Sequence, residues 1–376
     1  MTTLVAATAL ALSGTAATAA ALPTPTGLKV TGTTGTSVAL VWKASSGATG
    51  YDLLRDGALV AAADIPSAMS VGLKPSTSYT FRVRARNASG AVSADSAPVT
   101  VRTGSDPGGG GGKAAYAGAR SSSYGISPFP TSCGWEKAMR TASGYFAGST
   151  PAAVWIVGNI ENDGVSLQFP RPNDGKDYGS RIAFASTDKH EAYLKYFDTH
   201  GVKVWLQVEP GFADMATVID LVLKRYAHHP SVVGFGVDVE WYNPPGPDLN
   251  DPVTDALAEK WEKKVKSVKS SYTLFLKHFD QSSMPPTYRG GIVFVDDSQF
   301  FDSTTGFLAE MKAWADRYYP NPVMYQIGYQ PDKKWWNLEA KPVPKTLGTK
   351  LASVTRQDFG VVWVDFTLRD VFPTTC

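Results

Sequence analysis

The sequence predicts a multidomain protein: an all-β sandwich followed by an α/β barrel of the (β/α)8 type. Three observations predict it. Residues 23–103 read as short alternating strands separated by turn signals. A glycine run then interrupts the chain in SDPGGGGGKAAYAGAR, Ser105 to Arg120. Beyond it, apolar β-type runs alternate with helical stretches, the mark of a parallel sheet. The 376 residues are 43% hydrophobic and 19% charged, which places the chain among globular proteins rather than disordered ones. A net charge of +2 gives no electrostatic reason for a nucleic-acid partner, and no basic cluster with interleaved aromatics is present.

Residues 1–22 read as a signal peptide. Leu4 to Leu12 is apolar, and an A-x-A pattern follows at Ala17-Thr18-Ala19 or Ala19-Ala20-Ala21. No basic segment precedes it, so a disordered Ala/Thr tail is the other reading. The run is shorter than the ~18 apolar residues a bilayer span needs, so no membrane association is expected. In an extracellular protein Cys133 and Cys376 can pair, tying the end of the second domain to its start, and two free thiols are the alternative. Two cysteines without clustered histidines make no zinc site.

In the first unit, SYTFRVRARNASG puts Tyr79, Phe81, Val83 and Ala85 on one face and Thr80, Arg82, Arg84 and Arg86 on the other. Trp42 follows the strand VALV, GYDLLRDG supplies a hairpin, and GLKPSTSYTFRVRARNASG carries Leu73, Pro75 and Tyr79. On these residues 23–103 resembles a fibronectin type III domain. The resemblance implies a spacer role without catalytic residues. The linker, 104–120, is not a phosphate loop, because Ala114 stands where Ser or Thr would follow the lysine.

The remainder, 121–376, is close to the ~250 residues typical of a (β/α)8 barrel. AAVWIVGNI, KVWLQVEP, VVGFGVDVEW, GIVFVDD, PVMYQIGY and GVVWVDF read as strands. The two others needed for closure are sought in SLQFP, RIAFA or near Lys341. DPVTDALAEKWEKKVKSVKSSYTLFLKHF reads as one long helical segment. A doubly wound open sheet would alternate similarly, but no G-x-G-x-x-G follows the first strand.

Candidate site residues emerge from strand alternation. In VVGFGVDVEWY, Gly234, Gly236, Asp238, Glu240 and Tyr242 share a face. Two carboxylates so placed are costly to bury and need a reason. Trp205, Gln207 and Glu209 share a face, as do Trp363 and Asp365, while Asp296 follows Ile292 and Phe294. These polar groups gather at strand C-terminal ends, where a barrel carries its active site. Carboxylates, amides and tryptophans converging on one mouth point to a sugar-binding cleft. Neighbouring acids push one pKa upward, so one can donate a proton near neutral pH. Glu209 is read equally as a second catalytic carboxylate or as a brace for the Pro210-Gly211 turn.

The stretch VGFGVDVE, Val233 to Glu240, resembles the D-G-x-D-x-D-x-E motif of family 18 glycoside hydrolases, the chitinase and endo-N-acetylglucosaminidase group. Gly234, Phe235, Asp238 and Glu240 match, whereas Val233 and Gly236 replace two Asp. The resemblance implies Glu240 as proton donor and Asp238 as the carboxylate that holds the substrate acetamido group during substrate-assisted attack. It also implies Trp363 as the floor of a sugar subsite and Gln326 as a ligand. Either another carboxylate, with Glu209, Asp296 and Asp365 as candidates, replaces the missing inner Asp, or the mechanism differs.

The expectation is a secreted glycoside hydrolase: Glu240 and Asp238 catalytic, and Trp363, Trp205, Tyr242, Glu209, Gln207, Asp296, Gln326 and Asp365 lining the cleft. It would act as a monomer on a polysaccharide, with no metal, organic cofactor, nucleic acid or membrane partner. A non-catalytic carbohydrate-binding protein on a degenerate hydrolase barrel is the alternative. A deacetylase or lyase on the same fold is a third reading.

Overall fold

The computed structural model describes residues 22–105, 110–243 and 251–376. The expected leader, apart from Leu22, and part of the glycine linker lie outside the described residues.

The first unit is a two-sheet antiparallel sandwich. One sheet pairs Thr26–Thr33, Val38–Lys43 and Ser67–Ser70, and the other orders Ala58–Ala63, Gly50–Arg55, Ser78–Arg86 and Val99–Arg102. The alternation in Ser78–Arg86 holds: Phe81, Val83 and Ala85 are fully buried with Val38, Leu40, Trp42 and Leu53. The Tyr79 hydroxyl accepts from Lys74 N at 2.9 Å, pinning the corner that leads into this strand.

The second unit is a closed barrel of eight parallel strands. In order they are Ala114–Ser121, Thr150–Glu161, Lys203–Val208, Val232–Asp238, Thr273–Lys277, Val293–Asp296, Val323–Ile327 and Phe359–Val364. The last pairs back onto the first, which closes the sheet. The fold class is therefore the one expected, but two strands are not where they were sought. Ala114–Ser121 lies, all but Ser121, within the stretch assigned to the linker, because its small residues carry no strand signature. Thr273–Lys277 ends the stretch read as one helix, which stops at Val268. SLQFP and RIAFA contribute Gly164–Leu167 and Ile182–Phe184, a ribbon on the edge of the second strand rather than barrel staves.

Two apolar layers enclose the barrel wall. Ala152, Val154, Trp205, Phe275, Val293, Val295, Met324 and Val362 pack together inside it. Trp155, Leu206, Phe235, Phe294, Tyr325 and Trp363 belong to the larger cluster between strands and helices. Cys133 and Cys376 form a disulfide that anchors the chain end to the first barrel helix, Ser132–Ser143. Among the described residues no helix is long and apolar enough to cross a membrane.

Candidate active site

The fourth barrel strand ends at Asp238, and the chain turns at once into a short 3-10 segment, Val239–Trp241. The shared face inferred from alternation therefore stops at Asp238. Glu240 projects from the turn with its side chain 27% exposed, against 2% for Asp238. That difference separates a partly open carboxyl from one that is almost wholly buried.

Lys277, at the end of the fifth strand, holds the cluster together. Its Nζ lies 3.1 Å from Asp238 Oδ2 and 3.7 Å from Glu240 Oε2, and it is ion-paired to Asp297. Gln207 Nε2 donates to Asp238 Oδ2 at 3.1 Å. Gln326 Nε2 donates to the Tyr329 hydroxyl, which donates to Asp297 Oδ2 at 3.3 Å. Glu209 accepts from the Tyr124 hydroxyl at 2.5 Å and from Ile160 N at 3.2 Å.

The acids outnumber the cation that serves them. Burial above all, then the charges of Glu240, Asp297 and Glu209, push the Asp238 carboxyl well above the usual carboxylate range, against the pull of Lys277. At Lys277 burial is outweighed by Asp238 above all, then Asp297, Tyr329 and Glu240, which hold its ammonium protonated. A lysine so held is a cation and not a Schiff-base nucleophile. Gln207 Oε1, Asp238 Oδ1, Asp297 Oδ1 and Gln326 Oε1 are buried without a hydrogen-bond partner among the described residues. Such orphaned groups are rare in protein interiors and fit a ligand rich in hydroxyl and amide groups.

Of the residues singled out from sequence, Asp238, Glu240, Gln207, Gln326 and Glu209 meet here. Asp365 is held at one side: Arg120 Nη1 donates to it at 2.8 Å, and Ser122 donates through N at 2.6 Å and Oγ at 2.7 Å. Four residues stand elsewhere. Trp363 is on the outer face, with its Nε1 on Thr367 Oγ1 at 2.8 Å and its ring against Trp336. Trp205 fills the barrel floor one layer below Gln207, where Gly234 leaves room for its ring and Thr273 Oγ1 accepts from its indole at 2.8 Å. Tyr242 packs edge-on to Trp261 of the following helix. Asp296 lies on the outer face with Phe294 and caps Ser298, accepting from N at 2.9 Å and Oγ at 2.6 Å.

The missed residues have readable causes. Asp297 continues the Val293–Val295 interior face, which alternation offered as readily as the face of Asp296. Tyr329 turns inward because Gly328 adopts φ +92°, which breaks the alternation that would otherwise put it on the face opposite Gln326. Lys277 was hidden in the long helical reading, and Arg120 and Tyr124 in or beside the presumed linker. The motif position occupied by Gly236 is filled from the next strand: a Cβ there would lie 1.9 Å from Phe275 Cζ. No aspartate fits without moving that ring.

Away from the mouth, Glu191, His228 and His229 group with candidate ligand atoms within 4.8 Å of one another. Glu191 Oε1 lies 3.1 Å from His228 Nε2 and 3.4 Å from His229 Nε2, and Asp198 takes the other ring nitrogen of His229 at 2.7 Å. The trio ties the start of the helix Glu191–Thr199 to the turn that follows the helix Met215–Tyr226.

Comparison with known proteins concerns the sandwich. Residues 23–102 match the fibronectin type III domain family. The chain is 42% identical over 82 residues to chitinase Chi52 of Paenibacillus xylanexedens, covering 21% of this chain and 16% of that protein. It is 44% identical over 81 residues to endoglucanase B of Cellulomonas fimi, covering 20% of this chain and 8% of that protein. It is 42% identical over 79 residues to a poly(3-hydroxybutyrate) depolymerase of Delftia acidovorans, covering 20% of this chain and 16% of that protein. The chain thus spans less than a fifth of the length of these relatives, and the N-terminal unit is a fibronectin type III domain.

Proposed function

We propose that the barrel is a glycoside hydrolase acting outside the cell on a polysaccharide that contains N-acetylhexosamine. The observation that carries this reading is the pairing of a partly exposed Glu240 with a buried, proton-retaining Asp238 at the C-terminal end of a barrel strand. The resemblance of VGFGVDVE to the family 18 motif supports it, as does the kinship of the sandwich to modules in a chitinase and an endoglucanase. The depolymerase match shows that this module alone does not choose the chemistry, so the assignment rests on the barrel.

In the proposed reaction Glu240 gives its proton to the glycosidic oxygen as the bond to the anomeric carbon breaks. The substrate's acetamido oxygen attacks that carbon, with its amide held by Asp238. Water then adds to the anomeric carbon, gives its proton to Glu240 and regenerates the acetamide. Lys277 offsets the negative charge of the carboxylates throughout. The disulfide fits an oxidising compartment.

The test is reducing-end release from chitin, peptidoglycan glycan and partially N-acetylated polymers, with Glu240→Gln beside wild type. Wild type should release ends, and the variant should lose about 10²–10⁴-fold in kcat. Equal release by both would remove Glu240 from the chemistry. The replaced motif aspartates, Val233 and Gly236, favour one other reading, a carbohydrate-binding barrel; binding without turnover across the panel would select it.

A further inference from the structure

The sandwich does not stand clear of the barrel. The Ser67 hydroxyl donates to Asp280 Oδ2, and both residues are buried. Met69 packs against the barrel's outer apolar cluster. Thr36 Oγ1 donates to Asp316 Oδ2 at 3.3 Å, and the Arg317 guanidinium lies where Gly32 has no side chain. The two units therefore touch along one side through paired polar groups and apolar packing.

Between them runs a cleft of ≈ 650 Å³ that contains Glu240. Its sandwich wall is the edge formed by Ala61, Ala62, Asp64, Ile65 and Ala68. Its barrel wall includes Phe279, Gln299 and Phe300. The volume is within the range of ligand sites, and the lining mixes apolar surface with a few polar groups.

Phe300 is the unusual member. It is 72% exposed and holds φ 67°, a conformation that is an outlier for an aromatic residue. The backbone on both sides is fixed: Ser298 is bonded to Asp296, and Phe301 N donates to Asp332 Oδ1 at 2.8 Å. Strain that its surroundings enforce in this way collects at ligand-binding positions. Here it holds an apolar ring out into a cleft continuous with the candidate acid.

We propose that the fibronectin type III unit and the Phe300 loop are the two walls of an extended glycan subsite, in which Phe300 is the stacking platform for a sugar remote from Glu240. The occupant is a polysaccharide chain several sugars long. This inference rests on the reading of the barrel as a carbohydrate site, and it replaces the spacer role expected of the sandwich. Binding of remote sugars would help hold the reacting one in place.

The experiment is affinity gel electrophoresis of the full chain in gels containing glycol chitin, carboxymethylcellulose or hyaluronan. Wild type, Phe300→Ala, Phe300→Trp, Ala62→Arg and Glu240→Gln are compared. Ala62 is an exposed position on the sandwich wall, so arginine there narrows the cleft without touching the barrel core. Wild type, Phe300→Trp and Glu240→Gln should be retarded by at least one polymer, and Phe300→Ala and Ala62→Arg should bind it at least tenfold more weakly. The subsite is overturned if these two variants migrate like wild type, or if wild type is retarded by none of the three. Retardation of wild type without reducing-end release would instead remove the hydrolase and leave the subsite standing.

Discussion

Lys277 Nζ lies 3.1 Å from Asp238 Oδ2, and both side chains are almost wholly buried. The fifth strand supplies the cation and the fourth the acid, so the pair exists only once the two are hydrogen-bonded as neighbours, with Asp238 in register with Lys277. Removing one partner of a buried pair leaves an uncompensated charge, a loss of about 3–5 kcal/mol. Lys277→Met should destabilise the protein by that order near pH 8. The penalty should be smaller at pH 5 than at pH 8, because burial raises the Asp238 pKa and a falling pH favours its neutral form, which leaves less charge unpaired. Urea unfolding at the two pH values decides it, and an equal loss at both would refute the coupling.

Asp296 carries a pH dependence of its own. Burial raises its carboxyl to about 8, against the two bonds from Ser298. The folded chain therefore binds a proton that the unfolded chain releases near pH 4. Stability from this group is present below the unfolded value and is lost as pH rises through the folded one. Asp296→Asn keeps the acceptor for Ser298 and removes the titration. Between pH 5 and pH 8 the Tm of wild type should fall roughly 5 °C further than that of the variant. Parallel profiles would show that Asp296 does not titrate in this range.

Gly236 and Phe275 should behave as a unit. Gly236→Ala forces a Cβ against the ring and is expected to cost about 1–3 kcal/mol. In a Phe275→Leu background the cost should fall by about 1 kcal/mol. A double-mutant cycle in denaturant measures this, and simple additivity would contradict the steric account of the lost motif aspartate.

Trp363 separates packing from binding. Trp363→Phe loses the bond to Thr367 and part of the contact with Trp336, which should lower stability by about 1–3 kcal/mol. KM for the polymer found in the release assay should stay at the wild-type value. A raised KM with unchanged stability would return the indole to the cleft.

Residues 23–102 were legible as a sandwich from local pattern, because an antiparallel sheet with one wet face writes its alternation plainly in Ser78–Arg86. Asp238 and Glu240 were legible as a pair because carboxylates are conspicuous in an apolar strand. What stayed hidden was the direction of each face. Barrel strands are apolar on both sides, so alternation states which residues share a face but not which face is interior. Trp363 and Asp296 were placed inward on that ambiguity, and Asp297 was overlooked for the same reason. The closing of eight strands settles it: Val362 and Val295 fill the interior, so their neighbours Trp363 and Asp296 must point to the helices. The same closure brings Lys277 beneath Glu240 and sets the sandwich edge beside it, relations between segments far apart in the chain that no local pattern encodes.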